Sequence, residues 1–299
     1  MPRRHHFKFQ KPVAIDRSFW KQVDDLTVAV KNLVERSSPE KVRTIAGWHP
    51  FLMVATRATQ AIYGSICYLS ADTPPDPIRK LEYGLCTSPL IRSLADLLFN
   101  IIFIKEQPRS RIKRYHRAGW RETKELVEGL QKEYGSNQAW KGKLANLNTG
   151  LEDLRTAYQI SRKASRKLGM LPKWPIPSKM LREEKWRART KRFLEHLTLW
   201  YRELSQDHHM SGGGIIRLYS KLLLEPDDNS REKTLKELKT ANVMIAVALV
   251  LAIATEVNDI GGFNRGEKIA YLWGILTHNR PEAGKLFDLR YRTMLAKVT

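Results

Sequence analysis

The chain has 299 residues, 42% of them hydrophobic, and carries 52 Lys and Arg against 31 Asp and Glu, a net charge of +21. That length supports one large core or two modest ones. Its two cysteines, Cys67 and Cys86, stand 19 positions apart without a CxxC pair, which excludes a disulfide framework and reads as two buried apolar thiols in a reducing compartment.

The excess charge is confined to three segments. Residues 1–11 contribute +4, residues 105–124 contribute +6 and residues 155–192 contribute +11, so the remainder is neutral. Clustered cations raise the local potential and attract phosphates by releasing counterions. The pattern names a polyanion as partner: nucleic acid first, RNA before DNA, with a solvated basic face and an anionic membrane surface as lesser alternatives. Arg111, Arg114 and Arg117, followed by Arg162, Arg166, Lys167, Arg187 and Arg189, are the expected nucleic-acid contacts. The first twelve residues hold no apolar h-region, so no signal peptide is read and a cytoplasmic location is expected.

Helical periodicity runs nearly throughout and predicts an all-α multi-helix bundle. A first helix over 16–36 takes Asp16 or Ser18 as cap and Phe19, Val23, Leu26, Val30, Leu33 and Val34 as its apolar stripe. A second covers 49–71, with Pro50 in its first turn. The prolines of 73–77 break the chain. A third covers 77–106 and is apolar on every side over 94–104, the mark of a central helix. A basic helix follows Pro108 and runs to Tyr134, and after a turn at 135–137 a long polar helix covers 138–168. Pro172, Pro175 and Pro177 make 169–178 the candidate linker between N- and C-terminal halves of a single helical domain, 1–299. An amphipathic helix at 181–208 carries Trp186, Phe193, Leu197, Trp200, Tyr201 and Leu204 on one stripe and stops at the glycines 212–214. A short helix at 215–224 precedes one at 230–258, whose polar-free run 243–254 is 12 residues, short of the ~20 that span a bilayer. Gly261-Gly262 and a final helix pair close the chain.

Chemistry concentrates at 200–214. Helical geometry places Arg202 and His209 on one face, and Tyr201 and His208 on another. An Arg beside a His can cleave RNA without metal, the imidazole moving the 2′-hydroxyl proton and the guanidinium holding the scissile phosphate. The competing reading is a helix C-terminus whose histidines meet the last carbonyls. Arg92 and Asp96, one turn apart in the central apolar helix, form either a structural ion pair or half of a polar site. No HExxH occurs and adjacent helical residues suit one metal poorly, so neither metal nor cofactor is expected. Trp174, among prolines and cations, is the aromatic placed to stack on single-stranded bases.

Two motifs carry a resemblance. Leu90-Ile91-Arg92-Ser93-Leu94-Ala95-Asp96 resembles an Arg-Ser-Leu-x-Glu motif, with Asp in place of Glu, and Tyr201-Arg202-Glu203-Leu204-Ser205 followed by His208 resembles Tyr-x-x-Leu-Ser-x-x-His. In this order they are similar to an uncharacterised family of bacterial all-helical proteins. The resemblance implies a bundle in which Arg92, Asp96, Ser205 and His208 converge on one polar spot. The same region resembles, more distantly, the HEPN ribonucleases, whose Arg, four to six residues and His form a site completed across a homodimer. The resemblance implies Arg202, His208 and His209 as catalytic residues. Glu203 departs from the Asn, His or Asp usual after that Arg, and Arg43–His49, Arg111–His116 and Arg189–His196 satisfy the same spacing. The expectation is a nucleic-acid-binding protein with a HEPN-like ribonuclease site, or a non-catalytic module docking nucleic acid or an acidic partner.

Overall fold

The computed structural model describes residues 15–38, 47–70, 86–183, 186–208 and 227–296. Helices account for nearly all of these residues, and no strand occurs among them, so the all-α expectation holds. The chain forms two compact units: residues 1–102 with 181–299, and residues 103–180.

In the first unit, α1 (Arg17–Arg36) begins where Asp16 accepts from the Ser18 and Phe19 amides at 2.9 and 3.1 Å. Its stripe Phe19, Val23, Leu26, Val30 and Val34 is buried, as a 3.6-residue repeat requires. It packs on α2 (Trp48–Leu69) and on α9 (Asp228–Gly261). The central helix α3 (Thr87–Glu106) buries Ile91, Leu94, Ala95, Leu98 and Ile101, and a buried bond of 3.1 Å from the Asn242 amide to the Thr87 hydroxyl ties α9 to its start. Both α3 and α9 are long and apolar enough to cross a membrane. The apolar stretch of α9 exceeds the 12-residue run read from the sequence, and 83% of its most apolar window is buried inside the protein.

The C-terminal part of this unit folds around α8 (Ala188–His208). α9 ends at Gly262, in left-handed conformation at φ 63°, and the Asn258 side chain accepts from the Arg265 amide to close the turn into α10 (Gly266–Asn279). After α11 (Pro281–Leu286) the helix widens into a π-helical turn at Phe287–Tyr291 and ends in α12 (Arg292–Leu295). The extra residue of a π turn re-aims its side chains. Tyr291 reaches Trp273 and Phe193, at centroid distances of 5.5 and 5.4 Å, and Arg290 reaches the Glu256 carboxylate.

The second unit is built on α4 (Pro108–Tyr134) and α5 (Gln138–Ala157), joined by a turn whose Asn137 caps α5. Trp120, Val127, Leu151, Ile160 and Leu171 form its core, and Trp120 Nε1 donates to the Leu151 carbonyl at 2.8 Å. The polar helix expected to reach 168 stops at 157. Gln159 turns into the left-handed region at φ 53°, its amide bonding to the Thr156 carbonyl and the Ile160 amide to that of Arg155. These are the two bonds of a Schellman cap, here without glycine. Burial of Ile160, which extension of the helix would misdirect, decides the stop. The short helix α6 (Arg162–Arg166), a 3₁₀ turn and an extended stretch return along α4 to α7 (Pro177–Glu183). Segment 169–178 therefore lies inside the second unit and is not a free linker between halves. Leu171, Pro175 and Pro177 are buried, and Pro177 opens a helix, where its missing amide costs nothing.

Cys67 is half-buried and burial pushes its thiol up, whereas Cys86 is exposed, correcting the reading of both as buried. The basic segment 1–11, the breaks at 73–77 and 212–214 and the helix at 215–224 lie outside the described residues.

Candidate functional site

Side chains of two helices of the first unit meet at Tyr201. Arg92, Asp96 and Phe99 occupy positions i, i+4 and i+7 of α3, and Tyr201, Ser205 and His208 the same positions of α8. Tyr201 joins them. Its hydroxyl accepts from Arg92 Nη2 at 3.0 Å, the guanidinium lies 5.1 Å from its ring centroid, and Phe99 meets the ring edge-on at 6.1 Å. Ser205, one turn further along α8, keeps a buried hydroxyl with no hydrogen-bond partner among the described residues. Tyr201, expected on the apolar side of its helix, is thus the contact with Arg92, while Asp96 and Ser205 share the two helix faces by spacing alone. His208 lies on the same stripe, but its side chain is outside what the structure describes, as is all of His209.

Arg202 is exposed and turned about 100° from Tyr201, so it does not share the stripe. A hydroxyl and a π-face against Arg92 stabilise the cation in a partly desolvated place.

The basic segments occupy several kinds of place. Residues 103–180 hold eighteen Lys and Arg and seven Asp and Glu, a net +11. Arg117, Arg162, Arg166 and Lys167 are exposed, as is Arg187 in the first unit. Arg111 is a correction: only 4% exposed, it donates to the Phe103 carbonyl and lies 3.9 Å over the Phe103 ring, so it pins the start of α4 and offers nothing to a phosphate. Arg114 is half-buried and reaches the Lys173 carbonyl at 3.4 Å. Arg189 is exposed, yet its guanidinium binds the Leu289 and Asp288 carbonyls, each at 2.8 Å, and the Thr293 hydroxyl at 2.5 Å, which makes it a clamp on the C-terminal turn.

An aromatic ribbon runs through the second unit. Trp174 stands edge-on to Phe103 and Tyr115, at centroid distances of 5.5 and 4.9 Å, so the residue expected to present a free face is instead the anchor of the extended segment. Next to Tyr115, His116 stacks on Tyr158 at 4.4 Å and 16°. Burial raises the Tyr115 and Tyr158 phenols above their ordinary range, so both are neutral hydroxyls at physiological pH. A second stack, Tyr134 on Trp140 at 4.4 Å with Lys143 over the indole, sits at the hairpin tip. Nothing in the amino-acid order signals the His116–Tyr158 pair, because 42 residues separate them and only the turn at Gln159 brings them together.

A cavity of about 270 Å³ between α8, α9 and α11 is lined by Trp200, Met244, Ile245, Arg280 and Glu282, among others, and contains none of the expected site residues. His196, one turn before Trp200, is held below the usual imidazole range by burial and then by the Lys285 charge. Among the described residues no three His, Cys, Asp or Glu gather into a metal-binding group. The chain matches no protein-family model, no curated protein and no solved structure.

Proposed function

We propose that the protein binds nucleic acid, RNA in preference to DNA, through the basic face of residues 103–180. The observation that carries this reading is the segregation of charge: just over a quarter of the chain holds +11 of the +21. Arg109, Lys113 and Arg117 recur every fourth residue along α4, all exposed. That spacing advances ~6 Å per step, close to the separation of successive phosphates along a strand. No Asp or Glu occurs between residues 107 and 121 to neutralise them.

The test is fluorescence anisotropy with a labelled RNA over a range of salt concentrations. Binding is expected to weaken steeply, and the Arg109→Gln/Lys113→Gln/Arg117→Gln variant to lower the log–log salt slope by about two. Absent or salt-insensitive binding overturns the reading. Cleavage is a second layer, resting on the exposure of Arg202 on the last two turns of α8 and on its nearness in sequence to His208 and His209. Incubation of RNA with the protein, with and without chelator, decides it. Chelator-resistant cleavage lost in His208→Ala or His209→Ala supports a metal-independent ribonuclease. Intact RNA leaves a non-catalytic binding module.

A further inference from the structure

We infer that the nucleic acid bound is single-stranded, and that the His116–Tyr158 stack is the ledge on which a base sits. This inference rests on the binding reading above and narrows it to a substrate class. Charge alone would serve a duplex as well as a single strand. What distinguishes the two is an aromatic face among the cations, because only an unpaired base presents its π-face to a side chain. His116 and Tyr158 are already parallel, 4.4 Å apart, and both are half-buried: Tyr158 packs against the core of the second unit, and each ring keeps part of its surface exposed.

Cations lie on both sides of the pair. His116 is a helical neighbour of Lys113 and Arg117 on α4, both exposed. Tyr158 ends α5, and the Schellman turn after it leads directly into α6, where Arg162 and Arg166 are exposed. Arg155, just before the turn, donates to the Ile160 carbonyl at 2.9 Å and to Glu152, which fixes the turn that presents the Tyr158 ring. The pair is thus a preformed stack flanked by phosphate-binding groups. A base adding to it loses little side-chain freedom, since both rings are already ordered.

The experiment measures anisotropy of a labelled single-stranded RNA of about 12 nucleotides, within the span such surfaces cover, and of a duplex of the same sequence. The parent is expected to prefer the single strand. Tyr158→Leu is expected to weaken single-strand binding by about tenfold, in line with the loss of one base–aromatic stack, and to leave duplex binding unchanged. Tyr158→Phe, which keeps the ring, is expected to bind as the parent does. Circular dichroism and thermal melting establish that each variant is folded. Independently of any variant, ultraviolet cross-linking of the parent to 4-thiouridine RNA, read by mass spectrometry, is expected to place adducts on His116 or Tyr158. A duplex preference, an unaffected Tyr158→Leu variant, or cross-links confined to other elements overturns the ledge. If binding is lost in the Arg109→Gln/Lys113→Gln/Arg117→Gln variant but not in Tyr158→Leu, the ledge fails while the basic interface stands. If the parent binds neither RNA at low salt, the underlying reading fails too.

Discussion

Glu256 is fully buried in α9, and Arg290 meets it with two nitrogens, Nη2 at 3.3 Å, while Nη1 donates to the Thr190 hydroxyl at 3.0 Å. Removing one partner of such a pair strands a charge in low dielectric, whereas removing both need not destabilise. Arg290→Met is expected to cost about 3–5 kcal/mol in chemical denaturation, and the Glu256→Leu/Arg290→Met double variant to recover much of that loss. His196 gives the pH dependence. Its imidazole is held below its unfolded pKa of about 6.5 by burial and Lys285, so the unfolded chain takes up the proton more readily. Stability from this residue is complete above about pH 6.5 and lost as pH falls. The melting temperature of the parent is expected to fall more than that of His196→Gln on acidification.

At the scale of elements, the helices that were legible are those whose burial follows from their own repeat. The stripe of α1 and the uninterrupted apolar run of α9 announce which faces are inside before any partner is known. The end of α5 is the contrary case. Nothing in Thr156-Ala157-Tyr158-Gln159 breaks a helix, and the turn forms because Ile160 and Leu171 are needed in the core of the second unit. A non-glycine residue in the left-handed region carries a cost of about 1–2 kcal/mol. Gln159→Gly relieves it at some expense in unfolded-state entropy, and is expected to stabilise by roughly 0.5–1 kcal/mol, seen as a higher melting temperature. Trp174 holds the extended segment down. Trp174→Ala is expected to open 171–176, so that limited trypsin digestion cuts after Lys173 in the variant before it cuts there in the parent.

Across the whole molecule, local charge density should matter more than the total. Neutralising Lys233, Lys236 and Lys285, exposed residues of the first unit, changes the net charge as much as neutralising Arg109, Lys113 and Arg117 does. Phosphates pay out counterions only to cations that touch them. The first triple variant is therefore expected to shift the salt slope of RNA binding by less than about one, the second by about two. Equal shifts would mean that the protein attracts RNA through its net field and not through a face.

The amino-acid order alone carried the helical class, most helix boundaries and the confinement of charge, because periodicity, capping residues and residue counts are local properties. It also set Arg92, Asp96 and Ser205 on stripes that can be read from spacing. What each side chain meets depended instead on how distant parts of the chain pack. Packing turned Arg111 inward and tied Arg189 to the C-terminal turn, and it made Trp174 an anchor. It also brought Tyr201 to Arg92 and His116 to Tyr158, pairs 109 and 42 residues apart along the chain. A cation's sequence neighbourhood gives its charge, but whether that charge faces phosphate or protein depends on which distant surface the fold lays against it.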